Sequence, residues 1–414
     1  MSKPLENIYI LDLTQFLSGS YATMILAALG AKVIKAERPK SGDPARASSP
    51  FAGPDGVHEG FQSPEDMSLG ILKRARNKMS IGLDLKSTRG KEVFFDLVKH
   101  VDVVIENYKY GTLESMDITY EKMKHANPSI VYASLTGFGD VEAYKDLPAF
   151  DIVVQAMSGI MHVNGTEDME PMKVGVALGD QPAGLFTALG VLAACIHARE
   201  TGNGAKVSVS MLDSVLSMLM DEAHDFNLTK GRSVRSGNSL TRLTPFNSYK
   251  AGDGYFVIAS GGSDKMWNDF LTIMGRCDLI GDERYDKLPE RVKRTAEVDA
   301  IIQAWANEVS VAEAVDKIMA AGIPVGPVKT VQQAWCDPNL IEAKTLIPVE
   351  HRTCGIIPGV YAAQNPIRIK SDDVEDVFFS APAPTVGEHN DEIYGGLLGY
   401  SAEVIASLKS EKII

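Results

Sequence analysis

The stretch that decides the fold is Ile8-Tyr9-Ile10-Leu11-Asp12, then a helix-forming run from Ser20 to Leu29, a stop at Gly30, and Lys32-Val33-Ile34-Lys35-Ala36. Two short apolar runs around one helix make a βαβ unit, which belongs to a parallel sheet with right-handed crossovers. The pattern continues outward. Met79 to Leu85 reads as a strand, Ser87 to His100 as a helix, Val101 to Glu106 as a strand, Tyr120 to Ala126 as a helix and Ile130 to Leu135 as a strand. Strands ending at Asp12, Glu37, Asn107 and Gly137 line these residues along one edge, the carboxyl edge where open α/β sheets bind ligands.

The first turn, Thr14 to Ser20, holds a single glycine, Gly19. A G-x-G-x-x-G turn, which lets backbone approach a pyrophosphate, is therefore missing, although Glu37 ends the second strand where a ribose-binding acid would stand. Neither a phosphate loop nor a G-x-S-x-G elbow occurs. Past Met211 the pattern changes. Asp213 to Asn227 reads as a long helix, Arg232 to Asn247 as a polar linker and Gly254 to Ala259 as a strand. Helices follow around Asp264–Met274, Arg291–Glu308 and Ala312–Ala321, as in a smaller α+β domain. The tail returns to short strands and a helix near Ala402–Ser410. Expected boundaries are 1–210, a linker over 211–240, the small domain over 241–328, a linker over 329–345, and 346–414.

A second stretch carries the chemistry. Lys173 to Leu178 is strand-like, Gly179-Asp180-Gln181-Pro182 follows, and Ala183 to Arg199 is helical until Gly202 and Gly204 stop it. Pro near the start and Gly past the end mark the two helix termini. Asp180 thus stands on a strand-to-helix elbow. One reading is a helix cap accepting backbone N–H bonds. The other is a nucleophilic carboxylate kept ionised by the helix dipole.

The bulk properties narrow the function. The 414 residues are 45% hydrophobic and 23% charged, with net charge −13, which disfavours nucleic acid. An anionic ligand then needs a local basic pocket. Arg38, Lys86 and the cluster Arg74, Arg76 and Lys78 are the candidates for a polyphosphate nest. Cys195, Cys277, Cys336 and Cys354 are scattered, and the histidines show no zinc spacing, so neither a disulfide framework nor a metal site is expected. The first residues do not read as a signal peptide, and the expected compartment is a reducing cytoplasm. Ala183 to Ala198, interrupted by His197, reads as a buried core helix rather than a membrane span.

Several ordered blocks then coincide with one family. They are Ile10–Thr14, Gly30–Ile34 with Glu37-Arg38-Pro39 and Gly42-Asp43, Asn77-Lys78, Leu83–Lys86, Glu106-Asn107-Tyr108, Ala133–Gly139, Phe150-Asp151, Gln155–Gly159, Leu178-Gly179-Asp180, Thr201–Gly204, Gly322–Pro327, Asp337-Pro338 and Gly387–His389. In order and spacing the chain resembles the class III CoA-transferases, the formyl-CoA transferase-like (L-carnitine dehydratase/bile acid-inducible) family. The resemblance implies a doubly wound α/β large domain built from both chain ends, an inserted α+β domain and an interlocked homodimer. It implies Asp180 as the acyl-accepting carboxylate. CoA contacts fall on Leu17, Ser18, Arg38, Leu83, Lys86, Asn107, Tyr108 and Phe150. Acyl-CoA and small carboxylic acids are then the substrates, with no tightly bound cofactor. Backbone N–H groups at Gly179, Gly261 and Gly262 are candidate oxyanion donors. Leu17 and Ser115 replace a glutamine and an arginine of the formyl-CoA enzymes, and a four-glycine run is reduced to Gly261-Gly262. These departures argue against formyl-CoA and oxalate.

Two other functions fit the same residues. An α-methylacyl-CoA racemase of this fold needs a histidine before Asp151, where this chain has Phe150, which carries no proton. A non-catalytic CoA-binding protein has no need of Asp180.

Overall fold

The computed structural model describes residues 2–219, 225, 228, 235–260, 263–374 and 377–414. They form two compact units, one of residues 1–160, 173–221 and 338–414, the other of 161–172 and 222–337.

The first unit is built on a six-stranded parallel sheet. Its strands are β1 (Tyr9–Asp12), β2 (Lys32–Glu37), β3 (Lys78–Gly82), β4 (Val103–Glu106), β5 (Val131–Thr136) and β6 (Lys206–Ser210). Their spatial order is β3-β2-β1-β4-β5-β6, so the direction of winding reverses between β1 and β4. The helices that matter are α1 (Ser18–Ala28), α2 (Thr88–Val98), α3 (Tyr120–Ala126), α4 (Asp151–Ser158), α5 (Asp180–Thr201) and α6 (Met211–Met218).

Alternation along the strands divides the core. Leu11, Ile34, Ile81, Val104 and Tyr132 point to one face and pack with Phe94 and Leu97 of α2, Met123 of α3, and Tyr394 and Leu408 from late in the chain. Ile10, Val33, Val103, Val131 and Ala133 point to the other, against Ala22 and Leu26 of α1 and Ala188 and Val191 of α5. Helices thus cover both faces, and late residues join early ones in one core. The polar alternation Lys206-Val207-Ser208-Val209-Ser210 hides β6 from a reading by apolar runs; among the described residues it pairs with β5 alone, as an edge strand.

The structure departs from the sequence reading at three places. Lys173–Leu178 is not a strand; its backbone pairs with the buried Gln155 side chain of α4, which accepts the Val174 N–H at 2.8 Å and donates to the Val176 carbonyl at 3.2 Å. α5 is not buried all round. By length and composition it is apolar enough to cross a membrane, yet one stripe packs on the sheet while Leu185, Phe186, Leu189 and Ile196 lie open on the other side. The expected helix from Asp213 to Asn227 is α6, ending at Met218; residues 220–224, 226 and 227 lie outside the described residues.

The second unit has an antiparallel sheet of β7 (Phe246–Ala251), β8 (Gly254–Ala259) and β9 (Val325–Pro327) over a core containing Trp267, Phe270, Ile302 and Ile318. Residues 161–172 belong with it. Thr166 bridges Ser236, and Arg235 donates to the Asn164 and Glu170 carbonyls at 3.0 and 2.8 Å.

Candidate active site

The loop between β1 and α1 lacks the glycines of a dinucleotide turn and is held by side chains instead. Asp12, fully buried at the end of β1, accepts the Thr14 N–H and hydroxyl at 2.9 and 2.5 Å, the Thr23 hydroxyl at 2.7 Å and Lys78 Nζ at 3.1 Å. Burial raises its pKa, but Lys78, Lys35 and the two hydroxyls outweigh burial and hold it down at about 2. Lys35 donates to the Thr14 carbonyl at 2.7 Å and pairs with Asp43 at 3.0 Å. Asp43 accepts the Phe16 N–H at 3.1 Å. Asn107 accepts the Gln15 N–H at 2.7 Å and donates to the Gln15 carbonyl at 2.8 Å and Ser18 Oγ at 3.1 Å. Phe16 is left at φ 57, a conformation non-glycine residues seldom adopt. Glu37 accepts two bonds from Arg46, at 2.6 and 2.7 Å, and one from Ser80 at 2.7 Å, so it is spent inside the protein.

Two cavities open at this carboxyl edge, both within the first unit. The first, of about 540 Å³, is lined by Arg38, Leu83, Lys86 and Tyr108, and also by Lys40 and Lys412. The second, of about 370 Å³, is lined by Leu17, Ser18, Asn107, Tyr108, Phe150, Asp151 and Asp180. Tyr108 belongs to both. Its amide is held by buried Glu106, which accepts the Tyr108 N–H at 2.6 Å and the Tyr132 hydroxyl at 3.0 Å.

Asp180 is the first residue of α5, with Gly179 at the cap position. Glycine offers no capping side chain, so the helix start rests on geometry alone. Asp151 Oδ1 accepts the Gly179 N–H at 2.7 Å, and its Oδ2 accepts from Gln155 at 2.8 Å. A Cβ on Gly179 would lie 3.2 Å from Asp151 Oδ1 and 3.3 Å from Met211 Cε, tight on both sides. Gly184, one turn on, lets α5 meet α1: a Cβ there would lie 2.6 Å from the Ser18 carbonyl. Burial, and then the Asp151 carboxylate, push the Asp180 pKa up to about 6, against the pull of Arg74 and a Ser18 hydrogen bond. The Arg74 guanidinium folds over Gly70, where a Cβ would lie 2.9 Å from Nη1. A carboxylate in this setting is poorly solvated and still largely ionised at neutral pH. The dipole of α5 does not hold its pKa down, as the sequence leads one to expect, because desolvation and a like charge outweigh it.

Every expected contact from Leu17 to Phe150 lines one of the two cavities. The Gly179 amide is committed to Asp151, which removes it as an oxyanion donor in this arrangement. Gly261 and Gly262 lie outside the described residues. The cluster Arg74, Arg76 and Lys78 is not a phosphate nest. Lys78 is buried on Asp12, and Arg76 is buried under the Phe379 ring, 4.0 Å from its centroid, while donating to the Ala363 carbonyl. Arg74 acts on Asp180 instead. Asp151, Gln155, Lys40 and Lys412 were not among the expected site residues. The i, i+4 spacing of Asp151 and Gln155 on one helix face was the available signal for that pair. No local pattern ties Lys412 to a turn more than 300 residues away.

The model of the family described as CoA-transferase family III matches residues 5–390. The chain is 31% identical over 412 residues to a succinyl-CoA–D-citramalate CoA-transferase of Chloroflexus aurantiacus, covering 100% of this chain and 98% of that protein. It is 33% identical over 397 residues to a succinyl-CoA:mesaconate CoA-transferase of Haloarcula hispanica, covering 94% and 95%. A crystal structure of a CAIB/BAIF family protein from Brucella suis is similar with a TM-score of 0.81 at 30% identity, over 96% of this chain and 100% of that one.

Proposed function

Because the chain belongs to CoA-transferase family III, and is a class III CoA-transferase, we propose that Asp180 is the nucleophile by which it moves CoA from an acyl-CoA to a free carboxylic acid. The observation that carries this reading is the Asp180 carboxylate, semi-buried at the α5 start on one cavity wall, next to a cation-lined cavity.

The steps conserve charge. A carboxylate oxygen of Asp180 attacks the donor thioester carbonyl, the C–S bond breaks, and CoA leaves as thiolate. The product is a mixed anhydride on Asp180. The thiolate attacks the aspartyl carbonyl and expels the donor acid as carboxylate, which leaves CoA as a thioester of Asp180. The acceptor carboxylate attacks that thioester, expels the thiolate and forms a new anhydride. The thiolate then attacks the acceptor's acyl carbonyl, giving the product acyl-CoA and free Asp180. No α-proton moves. Asp151 and Gln155 keep the elbow in place, and Leu17 and Phe150 give the cavity apolar wall that limits hydrolysis of the anhydride. Oxyanion donors are proposed at the Gly261 and Gly262 backbone, as the resemblance implies. Succinyl-CoA, named in both relatives above, is the proposed donor, and dicarboxylic acids are the first acceptors to try.

The proposed assembly is an interlocked homodimer. The open face of α5, with Ile152 and Met157 exposed on α4, is the kind of apolar surface that a second copy covers. Intact-mass analysis after mixing with succinyl-CoA tests the central claim. A CoA adduct that maps to Asp180 and is absent from Asp180→Ala is expected; a protein that turns over without any adduct at Asp180 removes the covalent route. Phe150 makes the racemase reading unfavourable, and deuterium uptake at the α-carbon of a 2-methylacyl-CoA, dependent on Asp180, would restore it.

A further inference from the structure

The first cavity carries more positive charge than the expected residues account for. Its side-chain carboxylates are occupied: Glu37 by Arg46, Asp43 by Lys35, and Asp84 by the Lys86 N–H at 3.0 Å. Lys409 pairs with Asp391 at 2.8 Å. Among the described residues, Arg38, Lys40, Lys86 and Lys412 line this cavity with no carboxylate partner, in a chain of net charge −13.

Two of these lysines stand in backbone positions that favour glycine. Lys40, at φ 67, lies inside a turn closed by the Gly42 N–H on the Arg38 carbonyl at 2.9 Å. Lys412, at φ 61, follows the helix Ala402–Ser410 and its cap residue Glu411. The Lys412 N–H bonds the Lys409 carbonyl and the Ile413 N–H the Leu408 carbonyl, the six-to-one closure that glycine usually makes. Both positions carry a side chain where glycine is easier, and in both that side chain reaches the cavity lining, which Lys344 does not. The position is also fixed from afar. The Asp84 N–H donates to the Ile413 carbonyl at 2.8 Å, which ties Lys412 to the loop that carries Lys86. A Cβ on Gly82 would lie 3.2 Å from the Ile414 carbonyl carbon, so this segment crosses directly over the end of β3.

We propose that Lys40 and Lys412 complete, with Arg38 and Lys86, a phosphate-binding rim that takes the phosphorylated nucleotide end of CoA, and that Lys412 determines its specificity for phosphate. This rests on the acyl-CoA reading above. A phosphate monoester and a diphosphate present the same oxygens to an ammonium group, and CoA carries both, so the two are separated by ligand.

Calorimetry with CoA and with 3′-dephospho-CoA on the intact protein, Lys412→Gly and Lys344→Gly tests the proposal. Lys412→Gly removes the cation and relieves the backbone, so CoA affinity falls about tenfold while the melting temperature holds or rises. Loss with CoA alone assigns Lys412 to the 3′-phosphate; loss with both ligands assigns it to the diphosphate. Lys344 has the same left-handed conformation, φ 53, and lines neither cavity, so Lys344→Gly leaves affinity unchanged. CoA affinity within twofold of wild type in Lys412→Gly, or an equal loss in Lys344→Gly, overturns the role of Lys412. If the intact protein binds no CoA, the acyl-CoA reading fails with it.

Discussion

Two sets of charges meet at the carboxyl edge of the large sheet, and they are treated in opposite ways. Beneath the first loop, Asp12, Lys35, Glu37, Asp43, Arg46 and Lys78 are almost wholly buried, and each has a partner within 3.1 Å. Around the cavity above, Arg38, Lys40, Lys86 and Lys412 are exposed and pair with no carboxylate among the described residues. Burying a charge is tolerable only when it is paired and hydrogen-bonded, so the lower set fixes the loop's shape. The upper set stays solvated at the cavity rim, where its charge is open to a ligand. Identical residue types are thus either locked into scaffold or left open to solvent according to depth alone.

The largest effect expected tests what the scaffold is for. Asp180→Ala should lose several orders of magnitude in kcat, with a melting temperature within a few degrees of wild type. Turnover above a tenth of wild type in a folded variant would end the nucleophile's role. The next cuts the lower charge set. Lys78→Ala strands the Asp12 carboxylate in the core and should destabilise the protein by about 3–5 kcal/mol, whereas Lys78→Met with Asp12→Leu should recover most of that. Denaturant unfolding reads both, and a silent Lys78→Ala would mean that water replaces the ammonium.

Cutting the upper set should do the reverse. Arg38→Ala with Lys86→Ala should leave unfolding unchanged and weaken CoA binding by about 2–4 kcal/mol by calorimetry. A stability loss larger than the affinity loss would erase the distinction between the two sets. The smallest effect is in pH. If Asp180 attacks as a carboxylate, then with its pKa raised to about 6 the rate should fall below that pH, tenfold per unit. Asp151→Asn removes the like charge and still accepts the Gly179 N–H, so the acid limb should move to lower pH by up to about one unit. A limb that stays in place would mean that burial alone raises the Asp180 pKa.

The parallel sheet was legible in the run from Ile8 to Ala36, because apolar strands and their helices repeat within short windows. The elbow at Asp180 was legible for the same local reason: glycine, proline and helix formers mark a turn wherever they stand. β6 was missed because an edge strand with serines at alternate positions lacks the apolar run, and Lys173–Leu178 misled because a side chain, Gln155, pairs its backbone. Gly70 and Gly184 make room for Arg74 and the Ser18 carbonyl, which no window of sequence displays.

By itself, then, the sequence determined the strand–helix alternation from Ile8 to Leu135 and the place of Asp180 at the start of a helix. Only the tertiary structure decided which charges are buried. Lys35, Lys78 and Arg76 read no differently from Lys40, Lys86 and Arg38 as letters. Their fates separate because burial depends on elements distant in sequence. Phe379 covers Arg76, the β1 end encloses Lys78, and the segment around Ile413 carries Lys412 to the cavity rim. Desolvation follows from three-dimensional neighbours, and desolvation is what turns one cation into scaffold and leaves another free to hold a phosphate.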